Sequence, residues 1–390
     1  MTGLVVLVRI WLVRIGFAFG SLRAVQRRVV LATSHADRLG GNLAAIRDRI
    51  ARDAPEVSVT TLAHRSTAGA RGRLSGALRG VVAGYHLASA SLFVVDDYYF
   101  PIYAIRPRHG TRIVQVWHAS GALKRFGYSL SGKTFGASPS LLRHVRIHSN
   151  YDLCLVSSQR VAPAYAEAFG LPLDRFSSEL GMPRTDVLLD DGWRSAQDAA
   201  VRRRYGIPEG RTVVLYAPTF RGEEIGRARD PGLLDLAALR AILGDDHVVL
   251  VRLHPFVRDA ARIGPGLDGF AIDASDHPDI HALMVASDHL VTDYSSAVFE
   301  FSLLAKPMSF FAPDLDAYER ERGFYLDYRT DLPGPIFDDA AALAGHLRAG
   351  AFDLDRVARF REASFDVADG RAAERFVMRV VLPAVSGADR

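Results

Sequence analysis

The stretch His289-Leu290-Val291-Thr292-Asp293-Tyr294-Ser295-Ser296-Ala297-Val298-Phe299-Glu300 decides the fold. It opens as a short apolar run of strand type, passes through a polar loop, and continues as an apolar pattern at helical spacing. A strand that turns directly into a helix is the repeating unit of a parallel α/β sheet. The loop places Ser295 and Ser296 at a helix N-terminus, where free N–H groups and the helix dipole favour an anion. The same serines would serve equally as ordinary N-caps.

The alternation repeats on both sides. Arg28 to Ala32, Ser91 to Val95, Arg112 to Val116, Leu153 to Val156, Thr212 to Tyr216 and Val248 to Leu253 read as strands between Ala-, Leu- and Arg-rich helical stretches. A break at residues 186–196, a helical stretch at 198–205 and a fresh strand series divide the chain. The expected fold class is α/β: two Rossmann-like, doubly wound parallel-sheet domains, residues 29–188 and 189–360, facing a cleft. Residues 1–28 form a separate N-terminal segment, and residues 361–390 a helical tail whose pattern already begins at Leu354.

The 390 residues, 49% hydrophobic and 9% aromatic, supply core for two domains. With 24% charged residues and Gly and Pro spread along the length, a disordered or low-complexity chain is excluded. The single cysteine, Cys154, sits in an apolar run and reads as a buried thiol in a reducing compartment. Residues 1–150 carry 21 Arg and Lys against 6 Asp and Glu, while the remainder carries 27 against 38. A basic first half suits an anionic surface or a phosphate-bearing substrate.

Leu4 to Phe19 is apolar, but Arg9 and Arg14 interrupt it and Arg23, Arg27 and Arg28 follow. Such charges disfavour a spanning helix, and no small-residue cleavage site is evident. The expectation is an amphipathic helix in the membrane interface with its arginines reaching anionic headgroups. A helix packed on the domain is the competing reading.

Four loops that each follow a strand hold the chemistry. Trp117-His118-Ala119-Ser120-Gly121-Ala122-Leu123-Lys124 presents a histidine among small residues, a setting for a general base. Tyr216-Ala217-Pro218-Thr219-Phe220-Arg221 offers a hydroxyl and a guanidinium whose fork suits diphosphate oxygens. Arg252-Leu253-His254-Pro255 ends a strand with a second histidine, which as neutral or charged imidazole can hold a phosphate oxygen. The fourth is the serine loop already quoted. Pairs His144/His148 and His277/His281 lack the carboxylates of a metal helix, and no P-loop, GxGxxG or GxSxG motif occurs. Neither metal nor cofactor is expected.

Taken together, the loops resemble the CDP-glycerol glycerophosphotransferase family, which primes or polymerises teichoic acids and related polyol-phosphate polymers. The resemblance runs from about Thr33 to Gly370. Its most specific part is Asp279-Ile280, Thr292 to Ser296, Lys306-Pro307, Asp314-Leu315, Tyr318, Glu321 to Tyr325, Asp327-Tyr328 and Pro333 to Ile336. Tyr216 to Thr219, Arg252 to Pro255 and Gly181-Met182-Pro183-Arg184-Thr185-Asp186 add further signatures. Where many members read Trp-His-Gly-Thr-Pro-Leu-Lys, this chain reads Trp117 to Lys124 with one residue more, the form of shorter, primase-like members.

The resemblance implies a GT-B arrangement with the nucleotide held mainly by the second domain. It carries over His118 as base and His254 as a catalytic group on the donor diphosphate. Ser120, Lys124, Arg184, Thr219, Arg221, Arg252, Asp293, Ser295 and Ser296 are the expected substrate-binding residues. The implied reaction moves glycerol phosphate from CDP-glycerol to a lipid-linked saccharide or polymer acceptor, releasing CMP. CDP-ribitol is the second donor. Transfer of one or a few units is expected before polymerisation, at the cytoplasmic face of the membrane, attached peripherally to its anionic surface. A nucleic-acid-binding role lacks any basic stripe interleaved with aromatics, so no nucleic acid is expected as partner. An inactive relative would be expected to lose His118 or His254, and both are present.

Overall fold

The computed structural model describes residues 3–65, 70–130, 138–221, 234–254 and 263–387, with 232 and 257. Pro255 of the third loop and residues 388–390 of the tail lie outside the described residues. The first sheet comprises β1 (Gln26–Thr33), β2 (Ser58–Ala63), β3 (Ala90–Val95), β4 (Arg112–Gln115), β5 (Leu153–Leu155) and β6 (Phe176–Ser177), in the order β2-β1-β3-β4-β5-β6. The second comprises β7 (Thr212–Tyr216), β8 (His247–Val251), β9 (Ala271–Asp273), β10 (His289–Thr292), β11 (Met308–Phe311) and β12 (Ile336–Phe337), in the order β12-β11-β10-β7-β8-β9. Every pairing between these strands is parallel. This is the GT-B arrangement: two doubly wound sheets, each switching its direction of growth once, at β1/β3 and at β7/β10. Crevices outside the carboxyl ends at such switch points are where α/β sheets bind ligands.

Helices cover both faces of the central strands, so these strands read as continuous apolar runs; all six residues of β3 are buried. Strands that depart from this rule escaped the sequence reading. The edge strand β2 is half-exposed and polar, while β6, β9 and β12 are too short to show a period. In β11 the polar Ser309 is buried because its hydroxyl bonds His289 Nε2 at 3.0 Å.

The break after the first sheet is occupied by tight turns at Pro183–Leu189 and a helix over Asp191–Tyr205, longer than the stretch expected at 198–205. Asp190 caps it by accepting from the Trp193 N–H at 2.9 Å, and Gly206 ends it in the left-handed region at φ 61°. The tail is helical but returns to the first sheet. Asp366 accepts from Ser178 Oγ at 2.6 Å and from the Gln159 N–H at 2.7 Å. Asp186 accepts from the N–H groups of Ala372 and Ala373 at 2.9 and 2.8 Å.

Helix α1 (Gly3–Ser21) precedes α2 (Gly41–Asp53) and α3 (Ala70–Ser89), and it lies along α3. The backbones meet at glycines: a Cβ on Gly16 would collide with the Val81 carbonyl, and one on Gly84 with the Val13 carbonyl. Arg9 packs over the Phe100 ring at 4.0 Å and Arg14 Nε donates to the Ala104 carbonyl at 2.9 Å, so both have protein partners while remaining exposed. The exposed surface of the helix also carries Leu4, Trp11 and Phe19, with Leu22 just beyond it and Leu78 and Val82 on α3.

Candidate functional site

The loop after β4 turns through Trp117, which holds the left-handed φ of 50° that side chains other than glycine rarely adopt. Three hydrogen bonds fix it there: Trp117 N–H to Gln115 Oε1 at 2.8 Å, and Asn42 Nδ2 to the carbonyls of Val116 and Trp117 at 2.8 and 2.9 Å. The turn exposes the next residue, His118, whose ring stacks on Trp117 at 4.5 Å. His118 Nδ1 lies 3.2 Å from the Asp96 carbonyl. A carbonyl only accepts, so Nδ1 carries a proton, and in the neutral ring the lone pair falls on Nε2, the tautomer a base requires. Asp97, 3.8 Å from Nδ1, reinforces that tautomer. Burial alone would raise the Asp97 carboxyl, but the hydrogen bond from His35 and the nearby His118 hold it below the usual carboxylate range.

Ser120 is fully buried and donates to Glu300 Oε1 at 2.9 Å. Glu300, from the helix after β10, also meets Arg184 Nε at 2.9 Å and His281 Nε2 at 3.1 Å. Arg184 in addition donates to the His118 carbonyl. Burial would push Glu300 up, yet Arg184, His281 and Ser120 bring it down to about 2. Ser120 and Arg184 are thus spent on a latch that ties the His118 loop to the second sheet. Beside the latch the two halves share backbone bonds, Arg125 N–H to the Gly323 carbonyl at 3.1 Å and Tyr325 N–H to the Leu123 carbonyl at 3.0 Å.

On the facing side, the carboxyl ends of β7 and β10 are joined by Asp293, which accepts from the N–H groups of Thr219 at 2.7 Å and Tyr294 at 2.6 Å. Arg221 sits between Asp293, at 3.0 Å, and Asp314, at 2.8 Å, and against the rings of Tyr294 and Tyr318. Two carboxylates balance its charge, so Arg221 and Asp293 build the floor of the switch point. Two buried groups have no hydrogen-bond partner among the described residues: Thr219 Oγ1, and the Nε of Arg252, which donates through one terminal nitrogen to the His277 carbonyl at 3.1 Å.

His254 packs against Phe220 at 4.8 Å between ring centroids. Burial, then the charges of Lys124, Arg252 and His118, push it down to about 3. It is therefore a neutral imidazole at physiological pH, able to donate through a ring N–H. Lys124 is brought down to about 7 by burial and by Arg322. Its coupling to His254 places it at the same mouth, across from β8. The serine pair divides: Ser295 Oγ accepts from the Ala297 N–H at 3.2 Å as a cap, whereas Ser296 makes no side-chain cap bond. The helix they begin, Ala297–Ser302, is short, so its dipole is modest.

His118, Lys124 and Arg252 lie within electrostatic reach of His254, while Thr219 and Ser296 lie in the loops after β7 and β10. Ser120, Arg184, Arg221, Asp293 and Ser295 each have partners that hold the loops. Sequence reading passes over His35, Asn42, Asp96 and Asp97, weighs His281 only as a metal ligand and gives Asp314 only as a family match. The signal for Asp96 and Asp97 was available, since they directly follow a strand that had been read correctly.

Comparison with known proteins agrees with this architecture. The profile of a family described as CDP-Glycerol:Poly(glycerophosphate) glycerophosphotransferase matches residues 17–382. A teichoic acid ribitol-phosphate primase of Bacillus spizizenii is 37% identical over 365 residues, covering 93% of this chain and 92% of that protein. A teichoic acid glycerol-phosphate primase of Bacillus subtilis is 28% identical over 297 residues, covering 76% of this chain and 75% of the relative. Ribitol-phosphate polymerases also match, and the chain spans about half of their length. A variant of the wall teichoic acid polymerase TagF soaked with CDPG superimposes with a TM-score of 0.78 at 24% identity, covering 98% of this chain and 95% of that one. The chain belongs to the CDP-glycerol:poly(glycerophosphate) glycerophosphotransferase family, whose members here include primases and polymerases of teichoic acid.

Proposed function

We propose that the protein transfers a polyol phosphate from a CDP-activated polyol to a hydroxyl of a lipid-linked saccharide or polyol-phosphate acceptor, releasing CMP. The observation that carries this reading is an exposed histidine, His118, whose Nδ1 is held by a backbone carbonyl, in electrostatic reach of neutral His254, beside Lys124 and Arg252. Thr219 Oγ1 and Arg252 Nε are buried without a hydrogen-bond partner among the described residues. Such donors suit a diphosphate, and such a histidine suits the hydroxyl that attacks it.

In the reaction, His118 Nε2 takes the acceptor's hydroxyl proton as its oxygen bonds to the β-phosphorus. The bond from that phosphorus to the bridging oxygen breaks, and CMP leaves with the electron pair. Charge grows on the leaving phosphate, where Arg252, Lys124, His254 and Thr219 stabilise it. The asymmetry is chemical: the acceptor side needs a proton acceptor and the donor side needs proton donors.

CDP-ribitol is the favoured donor. The support is the ribitol-phosphate primase, matched at 37% identity over nearly the whole of both chains, against 28% for a glycerol-phosphate primase. CDP-glycerol, expected from the family resemblance, is the second reading. Near-complete overlap with a primase also favours transfer of one or few units. The exposed apolar side chains of α1 suit a peripheral seat on the membrane that carries the acceptor, on its cytoplasmic side.

Purified protein incubated with CDP-ribitol, CDP-glycerol and UDP-sugars, with CMP and UDP quantified, tests the reading. Acceptor-dependent CMP release with CDP-ribitol as the better donor supports it. UDP release, or none with any CDP-polyol, rejects it.

A further inference from the structure

The switch point of the first sheet, between β1 and β3, carries a group that the transfer step has not used. His35 follows β1, and its Nδ1 lies 3.2 Å from Asp97 Oδ2 and 3.0 Å from Thr33 Oγ1. Ser34 Oγ donates to the Tyr98 carbonyl at 2.7 Å and closes the loop against the end of β3. His35 and His118 are therefore built alike. Each has Nδ1 anchored on the Asp96-Asp97 pair, each side chain is more than a third exposed, and neither Nε2 has a hydrogen bond among the described residues. Their ring centroids are 5.9 Å apart.

A structural histidine would bury its second nitrogen or satisfy it. Here the carboxylate of Asp97 is shared by two partly exposed imidazoles, one after β1 and one after β4, beside the switch point at which α/β sheets bind ligands. Two imidazoles inclined at 59° with centroids 5.9 Å apart are close enough to address neighbouring oxygens of a single molecule. We propose that His35 is an acceptor-binding residue, whose Nε2 takes the hydroxyl adjacent to the one that His118 deprotonates, so that the site selects acceptors ending in a vicinal diol. Polyol phosphates and saccharides both supply such an end. Asp97 sets the orientation of both rings, and Asp96 contributes its carbonyl to His118. Protonation of His35 is favoured by Asp97 and Asp96 against the cost of burial, which leaves Nε2 as a donor to the hydroxyl oxygen.

The inference rests on the transfer reading for its meaning, but its test does not need turnover. The probes are octyl glycerol phosphate, which ends in a vicinal diol, and octyl 3-hydroxypropyl phosphate, which lacks the adjacent hydroxyl. Binding to the full-length protein is followed by saturation-transfer NMR, with donor affinity by calorimetry as the check on folding. The native protein should bind the diol probe about tenfold more tightly than the deoxy probe. His35→Ala and His35→Gln should bind the two probes alike while keeping native donor affinity. If turnover is present, the acceptor KM for the diol probe should rise about tenfold with kcat within a few fold. Equal binding of the two probes by the native protein, or undiminished discrimination in both variants, overturns the proposal. So does a fall in kcat with discrimination intact, since His35 would then act only through Asp97. Absence of CMP release from the native protein, with diol discrimination present, would instead count against the transfer reading alone.

Discussion

Ser120 and Glu300 meet at 2.9 Å across the two halves of the molecule, and the contact is wholly buried. It fastens the loop that presents His118 to the helix that follows the central strand of the other sheet. Removing the carboxylate by Glu300→Ala leaves Arg184 buried without its partner, at an expected cost of about 3–5 kcal/mol. Ser120→Ala removes one hydrogen bond to a charged group, costing about 1.5–3 kcal/mol. Calorimetric melting of both variants measures the order, Glu300→Ala below Ser120→Ala below native.

The same carboxyl fixes a pH dependence. Glu300 is depressed from 4.5 to about 2 in the folded protein, so its stabilisation is present above the unfolded value. It is lost as pH falls from about 4.5 through about 2. Glu300→Gln should therefore show a shallower loss of stability over this window than the native protein, read from melting temperatures at successive pH values.

Lys124 predicts a proton linked to donor binding. Its ammonium is brought down from 10.5 to about 7 by burial and by Arg322, so at pH 8 the free protein holds it mostly neutral. A bound diphosphate reverses that environment and raises the pKa, so binding takes up a proton. Titration of the donor at pH 8 in two buffers of different ionisation enthalpy should give different heats, and Lys124→Met should erase the difference. Equal heats for the native protein would place Lys124 away from the diphosphate.

The serines of the decisive loop should part company. Ser296→Ala should weaken donor binding by about 1 kcal/mol, the worth of a typical hydrogen bond. Ser295→Ala should lower stability by about 0.5–2 kcal/mol through the lost cap, with donor affinity nearly native. Calorimetric donor titration beside thermal melting separates the two effects.

In the proposed seat of α1 on the membrane, its exposed apolar side chains supply the main attraction. Trp11→Ser and Phe19→Ser should each weaken sedimentation with anionic vesicles by the loss of a large apolar side chain, about 1.5–3 kcal/mol apiece. Added salt should act weakly, because Arg9 and Arg14 are engaged by Phe100 and Ala104.

What the sequence revealed follows the same physics. Long buried strands such as Thr212–Tyr216 announce themselves as β-branched runs, and loops after them are the natural place to look for chemistry. That logic points to His118, His254 and Thr219. It could not foresee that Ser120 and Arg184 converge on Glu300, since the three lie far apart in the chain and meet only when the sheets dock. Arg221 looked like a free guanidinium because the carboxylates that balance it, Asp293 and Asp314, come from two later loops. His35 was missed because β1 was read to end at Ala32, one residue short of Thr33, and its loop was never examined as a strand end. On α1, the apolar run interrupted by arginines could not show that Arg9 and Arg14 find partners in Phe100 and Ala104.

The division of labour across the cleft is tested most directly by pairing donor titration calorimetry with CMP-release kinetics for His118→Ala and His254→Ala. His118 acts as base only in the transition state, so its loss should lower turnover by about 10²- to 10⁴-fold with donor affinity nearly intact. His254 faces the diphosphate before and during transfer, so its loss should weaken donor binding and slow transfer together. Near-native turnover in His118→Ala, or native donor affinity in His254→Ala, would contradict the account.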